Sequence, residues 1–316
     1  MYTGNERLRE VIGKQDRPCR PREKTYSQIH HPLPVRLSCD SAPPMIAFMP
    51  ASSLTVGDVV AFLEEFAPVE LAESWDNVGL IAGDETWPAT KVLTCLTLTE
   101  DVAAEAVSSG VGLVVSHHPL LFKAVKRITA DTSEGRTLLA LLKAGIAVYS
   151  PHTSFDSARE GINHLLTVKL GLSRVQPLRP LDDEADLGGG RIGWLPAQIT
   201  LAEFLALVQD SLNVSAISYV GDPETKVQRV AVACGSAAEF LTDAERHEAD
   251  VLLTGEARFH ACLEARTRGI PMVLAGHYAT ERPGVEDLAA IIARQFPGLE
   301  AFASTVERDP LNWSSR

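Results

Sequence analysis

From Lys91 onward, short apolar runs alternate with segments of helical period. Residues 91–98 read as a strand, Glu100–Ser109 as a helix with Thr99 as N-cap and Gly110 as terminator, and 112–116 as a second strand. A helix over 137–143 ends at Gly145, a strand covers 146–150, and a helix over 158–170 ends at Gly171. A polar loop is expected at 173–190. Beyond it the rhythm resumes, with strands at 191–195, 227–234, 250–254 and 272–275, and a last one near 300–305. The helices between them fall at Leu201–Leu212, 237–248, 256–268 and 286–294. Strands alternating with helices of this length predict an α/β protein whose layered sheets are covered by helices. Upstream, Thr55 with Asp58 has the spacing of a capping box and opens a helix carrying Val56, Val59, Val60, Leu63 and Phe66. At roughly 150 residues per domain, the 316 residues allow two domains or one large interlocked one, and the polar loop sets the boundary between a first lobe at 53–175 and a second at 176–316.

Residues 1–50 stand apart. They hold seven of the nineteen prolines, show no strand or helix period, and carry eight Lys/Arg against five Asp/Glu. They read as a flexible arm. A transit peptide fits poorly with Glu6, Glu10, Asp16 and Glu23, and a start of translation at Met45 or Met49 is the plainer account. Because the whole chain is −12 and the arm +3, the rest carries −15. Such a body repels phosphate backbones, which argues against stable nucleic-acid binding. No apolar run approaches the roughly 18 residues of a membrane span. Five scattered cysteines without a Cys-x-x-Cys pair predict reduced thiols and a cytoplasmic location.

The histidines are the informative chemistry. His117 and His118 follow the strand 112–116, His152 follows 146–150, and His277 follows 272–275. In open α/β sheets, ligands bind beyond the carboxyl ends of strands, so these four can converge in one crevice. Asp156 stands four residues after His152, and Glu281 four after His277. That spacing shares one helical face, although a His and a carboxylate so placed are also an ordinary surface pair. Imidazole with carboxylate suits Zn, Fe, Mn or Ni rather than the soft thiolate metals.

Other motifs are weaker. Gly188-Gly189-Gly190 precedes a strand, where a phosphate loop should open a helix, and is read as a turn. Ser116 lacks a nucleophile elbow. His164 and His247 read as packed or surface histidines, and His30 and His31 lie in the arm.

Six stretches taken together resemble the Nif-three-like dinuclear metal proteins, also called the GTP cyclohydrolase I type 2 family. They are ESWDNVGLIAGD at 73–84, VVSHHPLLF at 114–122, VYSPHTSFDSAREGIN at 148–163, GGRIG at 189–193, DVLLTGEARFH at 250–260 and GHYATERPG at 276–284. The resemblance implies that His117 and His118 bind separate metals, that Asp156 bridges them, and that His277 and Glu281 complete the set. It implies two interlinked α/β lobes, with two divalent transition-metal ions per chain, of Zn, Fe or Mn, in the crevice between them. His152 and His260 match histidines near the metals and become candidate proton carriers. Asp76 and Asn77 match a loop beside the site. Ring-shaped homohexamers are implied as well. Two features depart from the family pattern: the arm has no counterpart, and Tyr278 stands where many relatives have a second histidine. The segment after Gly171 is too short for the extra domain some relatives insert.

The function this implies is metal-dependent hydrolysis of a nucleotide-like small molecule, with attack at C8 of a guanine in the GTP cyclohydrolase case. The alternative is a metal-handling or scaffold protein that uses the same ligands without turnover.

Overall fold

The computed structural model describes residues 54–181 and 186–312. The arm at 1–50, with Met45 and Met49, lies outside the described residues.

The first helix, α1 (Val56–Phe66), begins at a true capping box. The Thr55 hydroxyl accepts from the Asp58 amide, and the Asp58 carboxylate accepts from the Thr55 amide. Such a cap stabilises a helix by about 1 kcal/mol. Strand β1 (Gly79–Ala82) precedes β2 (Lys91–Thr97). The helix α2 (Glu100–Ser109) has the expected ends: Thr99 caps it, and Gly110 closes it with φ of 65°. Then come β3 (Leu113–His118), α3 (Ser133–Lys143) and β4 (Ala147–Ser150). The helix expected over 158–170 starts later, as α5 (Ile162–Lys169), and a separate short helix, α4 (His152–Ser157), precedes it. The turn between them is tight enough that a Cβ on Gly161 would lie 1.8 Å from the Phe155 carbonyl oxygen.

The expected loop at 173–190 is largely a hairpin, β5 (Ser173–Pro180) with β6 (Gly188–Thr200), paired antiparallel. β5 is an edge strand with most side chains exposed, so its sequence shows no apolar alternation. The three glycines start β6 rather than forming a separate turn. The chain continues through α6 (Leu201–Leu212), β7 (Ser218–Val220), β8 (Lys226–Ala233), α7 (Leu241–Arg246) and β9 (Val251–Thr254). It ends with α8 (Phe259–Arg268), β10 (Met272–Leu274), α9 (His277–Gln295) and β11 (Glu300–Ala303). α9 begins nine residues earlier than the sequence suggests, with Pro283 inside it. Proline breaks the intrinsic pattern, but Thr280, Glu281, Arg282, Gly284 and Val285 around it are buried, and packing holds the helix.

Two sheets result. The first has the order β1-β4-β3-β2-β11, with β11, β2, β3 and β4 parallel and β1 antiparallel. The second has the order β5-β6-β8-β9-β10-β7, with β8, β9 and β10 parallel. β11 comes from the end of the chain yet closes the first sheet, so the halves of the chain are interleaved. Alternation along the strands sorts the core into layers. Val92, Leu113 and Tyr149 face a central core shared with Val232, Leu253 and Val273 of the second sheet, and with Ile162 of α5, Phe204 of α6 and Ile292 of α9. Leu93, Val114 and Val148 face outward under α2 and α3, and Ala231, Leu252 and Met272 face outward under α7 and α8. The fold is thus a mixed α/β architecture of two sheets covered by helices. Among the described residues, no helix is long and apolar enough to cross a membrane.

Candidate metal centre

The parallel strands of both sheets deliver polar residues at their carboxyl ends, as such sheets do. β3 runs on through His117 and His118, so both belong to the strand and not to a following loop. Neighbours on a strand project to opposite sides, and the two rings stand with centroids 5.3 Å apart and planes at 47°. His152 opens α4 directly after β4, and His277 opens α9 after β10. One helical turn brings Glu281 back beside His277, with Oε2 2.9 Å from Nε2.

The site has two parts. In the first, His118 Nε2 lies 3.0 Å from Glu281 Oε2 and 3.3 Å from His277 Nε2. Hydrogen bonds from His118 and His277 more than offset the burial of Glu281 and hold its carboxyl well below the usual range. Its bond to Glu281 in turn raises the His277 imidazole to about 9, with Glu256 adding to the shift. The outer nitrogens are also engaged: His118 Nδ1 lies 2.8 Å from Thr97 Oγ1, and His277 Nδ1 lies 3.1 Å from Glu256 Oε1. The carboxylate fits so closely that a Cβ on Gly235 would lie 2.1 Å from Glu281 Oε1.

The second part is drier. His117 is 1% exposed, and neither ring nitrogen has a hydrogen-bond partner. Burial drives its pKa well below the ordinary value, so the ring is neutral. Its Nε2 stands 3.5 Å from Asp156 Oδ1, too far for a good hydrogen bond. Burial and the nearby charge of Glu281 raise the Asp156 carboxyl to about 7. The Cys234 thiol, kept protonated by burial, donates to Asp156 Oδ1 at 3.4 Å.

Between these parts stands His152. Its Nδ1 is 2.7 Å from Asp76 Oδ1, and its backbone is held at φ of 24°, a conformation rare for a residue with a side chain. The Asp76 side chain is fully buried and also accepts from the Thr153 amide and hydroxyl. Burial alone would raise its pKa, but the bonds from His152 and Thr153 lower it to about 2. Asn77 fastens the same loop by donating to the Leu121 carbonyl at 2.7 Å.

Two overlapping groups of donor atoms each fall within 4.8 Å: His117 with His118 and His152, and His118 with His277 and Glu281. Buried polar atoms without partners are costly and uncommon. The orphaned His117 Nε2 facing the Asp156 carboxylate, beside two Nε2 atoms 3.3 Å apart, forms a set that a cation would satisfy. The residues therefore fit a divalent metal of the borderline class. His260 is not drawn in. It is exposed in the first turn of α8, and its ring neighbour is Phe259 at 5.9 Å. Ser116 is structural, its hydroxyl donating to the His118 carbonyl.

Sequence reasoning missed Thr97, Cys234, Glu256 and Gly235. Thr97 is the register partner of His118 across β2 and β3, a relation that exists only once the strands pair. Cavities flank the cluster. One of about 380 Å³ is bordered by Trp75, His152, Asp156, Asn163, Arg179 and Phe240. The other, of about 640 Å³, is bordered by Thr97, His118, Glu256, Tyr278 and Glu307. His277 lines both.

The chain is similar to known proteins along most of its length. The family described as Duf34/NIF3 (NGG1p interacting factor 3) matches residues 54–310. A Clostridium perfringens protein named GTP cyclohydrolase 1 type 2 homolog is 34% identical over 263 residues, covering 82% of this chain and all of that one. NIF3-like protein 1 of Drosophila melanogaster is 33% identical, covering 80% of this chain and 87% of its own length. The crystal structure of Staphylococcus aureus hypothetical protein SA1388 superposes with a TM-score of 0.77 at 27% identity, covering 84% of this chain and all of that one. Family match, relatives and fold agree along nearly all of the described chain, which belongs to the Duf34/NIF3 family.

Proposed function

We propose that the chain holds two divalent transition-metal ions (Zn, Fe or Mn) on His117, His118, Asp156, His277 and Glu281, and hydrolyses a nucleotide-like small molecule beside them. The observation that carries this reading is the orphaned His117 ring facing Asp156, next to a histidine oriented by a buried carboxylate. Bound there, such ions supply Lewis acidity, polarising an oxygen and acidifying water.

The chain's own residues do the rest. The ionised Asp76 only accepts, so it holds the His152 proton on Nδ1 and leaves Nε2 free to take one. The imidazolium that forms is stabilised by the same carboxylate. His152 is thus a general base during attack and a general acid for the leaving group. Trp75 and Phe122 stand 5.8 Å apart, each 6.1 Å from the His152 ring, and are 57% and 47% exposed. Exposed rings at the rim of a polar site offer a purine a face to stack on. Arg179, which lines the cavity with Trp75, keeps a partly exposed guanidinium that can donate to its edge. The relatives named GTP cyclohydrolase 1 type 2 homolog support a purine nucleotide over other planar substrates. His260 lies outside the cluster, so a proton-carrying role for it needs a movement of α8 or a neighbouring chain. A homohexamer is the assembly that goes with this reading, and light scattering measures it directly.

The test is a screen of purine nucleotides and generic phosphoesters with metal-loaded and chelated protein. Metal-dependent turnover should vanish in Asp156→Ala and fall by about 10²–10⁴ in His152→Ala. Two bound ions with no turnover on any substrate would instead leave a metal-handling protein.

A further inference from the structure

The outer nitrogens of three histidines in the cluster have partners of two kinds. His152 and His277 face carboxylates, Asp76 and Glu256. A carboxylate only accepts, so it fixes the ring proton on Nδ1. His118 faces the hydroxyl of Thr97 at 2.8 Å, and a hydroxyl can either donate or accept. His118 is also the one residue common to both groups of donor atoms.

The difference matters because His118 is the residue both groups of donor atoms need. For Nε2 to give its lone pair to a cation, the ring proton must sit on Nδ1, and Thr97 Oγ1 is placed to accept it. We propose that Thr97 is a positioning residue that holds the His118 ring proton on Nδ1 and keeps Nε2 turned toward the cation. This rests on the metal reading given above.

Thr97 is itself held in place. It ends β2 opposite His118, and its amide donates to Glu307 Oε1 at 2.6 Å, while the Leu96 amide donates to Oε2 at 2.9 Å. Glu307 is buried and lies 3.4 Å from the guanidinium of Arg282, the residue after Glu281. The segment after β11 therefore ties the end of β2 to the helix carrying Glu281 and His277. Thr97 is exposed, so its hydroxyl can be removed without opening a cavity.

The experiment measures zinc affinity by competition with a chromophoric chelator in wild type, Thr97→Val, Thr97→Ser, His118→Ala and the Thr97→Val/His118→Ala double variant, with circular dichroism on each. Loss of an oriented partner to a ligating histidine typically costs about 10- to 100-fold in metal affinity. Thr97→Val should lose that much at one of two sites, Thr97→Ser should restore it, and Thr97→Val should add nothing once His118 is gone. Long-range proton–nitrogen spectra of the His118 ring should show the proton on Nδ1 in the zinc-loaded protein. Wild-type affinity in folded Thr97→Val, or an additive double variant, overturns the proposal and leaves the metal site standing. Wild type that takes up no zinc overturns both.

Discussion

The two parts of the cluster are built in opposite ways. Around Glu281 the imidazole nitrogens all have partners: His118, His277, Thr97 and Glu256 form a connected network on the protein alone. Around His117 the ring is dry and its nitrogens are orphaned, and the nearest carboxylate is pushed toward protonation. Buried groups left unsatisfied cost about 1–3 kcal/mol each. The first part is therefore held by the protein's own hydrogen bonds, and the second carries a cost that a cation would relieve. On the proposed reading, metal uptake is thereby tied to the stability of the fold.

The largest effect expected from this contrast is at Asp156. Asp156→Asn keeps the shape but removes the negative charge a bridging ligand would share between two dications, and ligands must be ionised to bind. Metal content should fall from two ions per chain to near zero. His117→Ala or His118→Ala should each lose about one, with Glu281→Gln between these cases. Elemental analysis of folded variants at matched concentration decides it, and two tightly held ions in Asp156→Asn would remove Asp156 from the site.

The next effect separates the two halves by stability. His117→Leu replaces an unsatisfied ring with an apolar one of similar size, so the chelated protein should gain about 1–2 kcal/mol. That corresponds to a rise of a few degrees in Tm. Glu281→Leu should do the reverse, because it strips His118 and His277 of their shared acceptor. Thermal unfolding in chelator measures both, and a destabilised His117→Leu would show that the ring is not frustrated.

A smaller effect is its pH dependence. His277 in the folded chain is raised to about 9 from an ordinary value of 6.5. A raised imidazole contributes stability that is full below 6.5 and is lost as pH rises through 9. Chelated protein should accordingly weaken between pH 6.5 and 9.5, and Glu281→Gln should flatten that slope. Denaturant unfolding across the range checks the sign. The smallest effect is at the arm: removal of residues 1–48, which lack any core-forming period, should leave folding, assembly and metal content unchanged. Loss of metal from the truncated chain would place part of the site outside the residues discussed above.

Much of the molecule was legible before its structure. Apolar runs near 91–98 and 112–116 became β2 and β3, and Thr99 with Gly110 bounded α2 at both ends. Local signals carried these because a cap or a period of two is decided by a few neighbouring residues. His117, His118, His152 and His277 could be gathered for a related reason: each sits at or just past the end of an apolar strand, parallel strands deliver their ends to one edge, and Glu281 follows His277 by one helical turn. Asp156 and His117 also meet, at 3.5 Å. The misses share a different cause. β5 looked like loop because an edge strand shows few buried side chains, and α9 looked too short because Pro283 masks a helix held by packing.

What the sequence determined by itself was the alternation of elements, the caps and the positions of the histidines along the chain, all properties of short windows. Which ring nitrogens find partners was decided only by the tertiary structure. Thr97 reaches His118 through strand register, Glu307 reaches Thr97 from 210 residues away, and Asp76 reaches His152 across 76. Hydrogen bonding is directional and short in range, so a satisfied imidazole and an orphaned one are the same letter in the sequence and differ only once distant backbone has been brought within 3 Å.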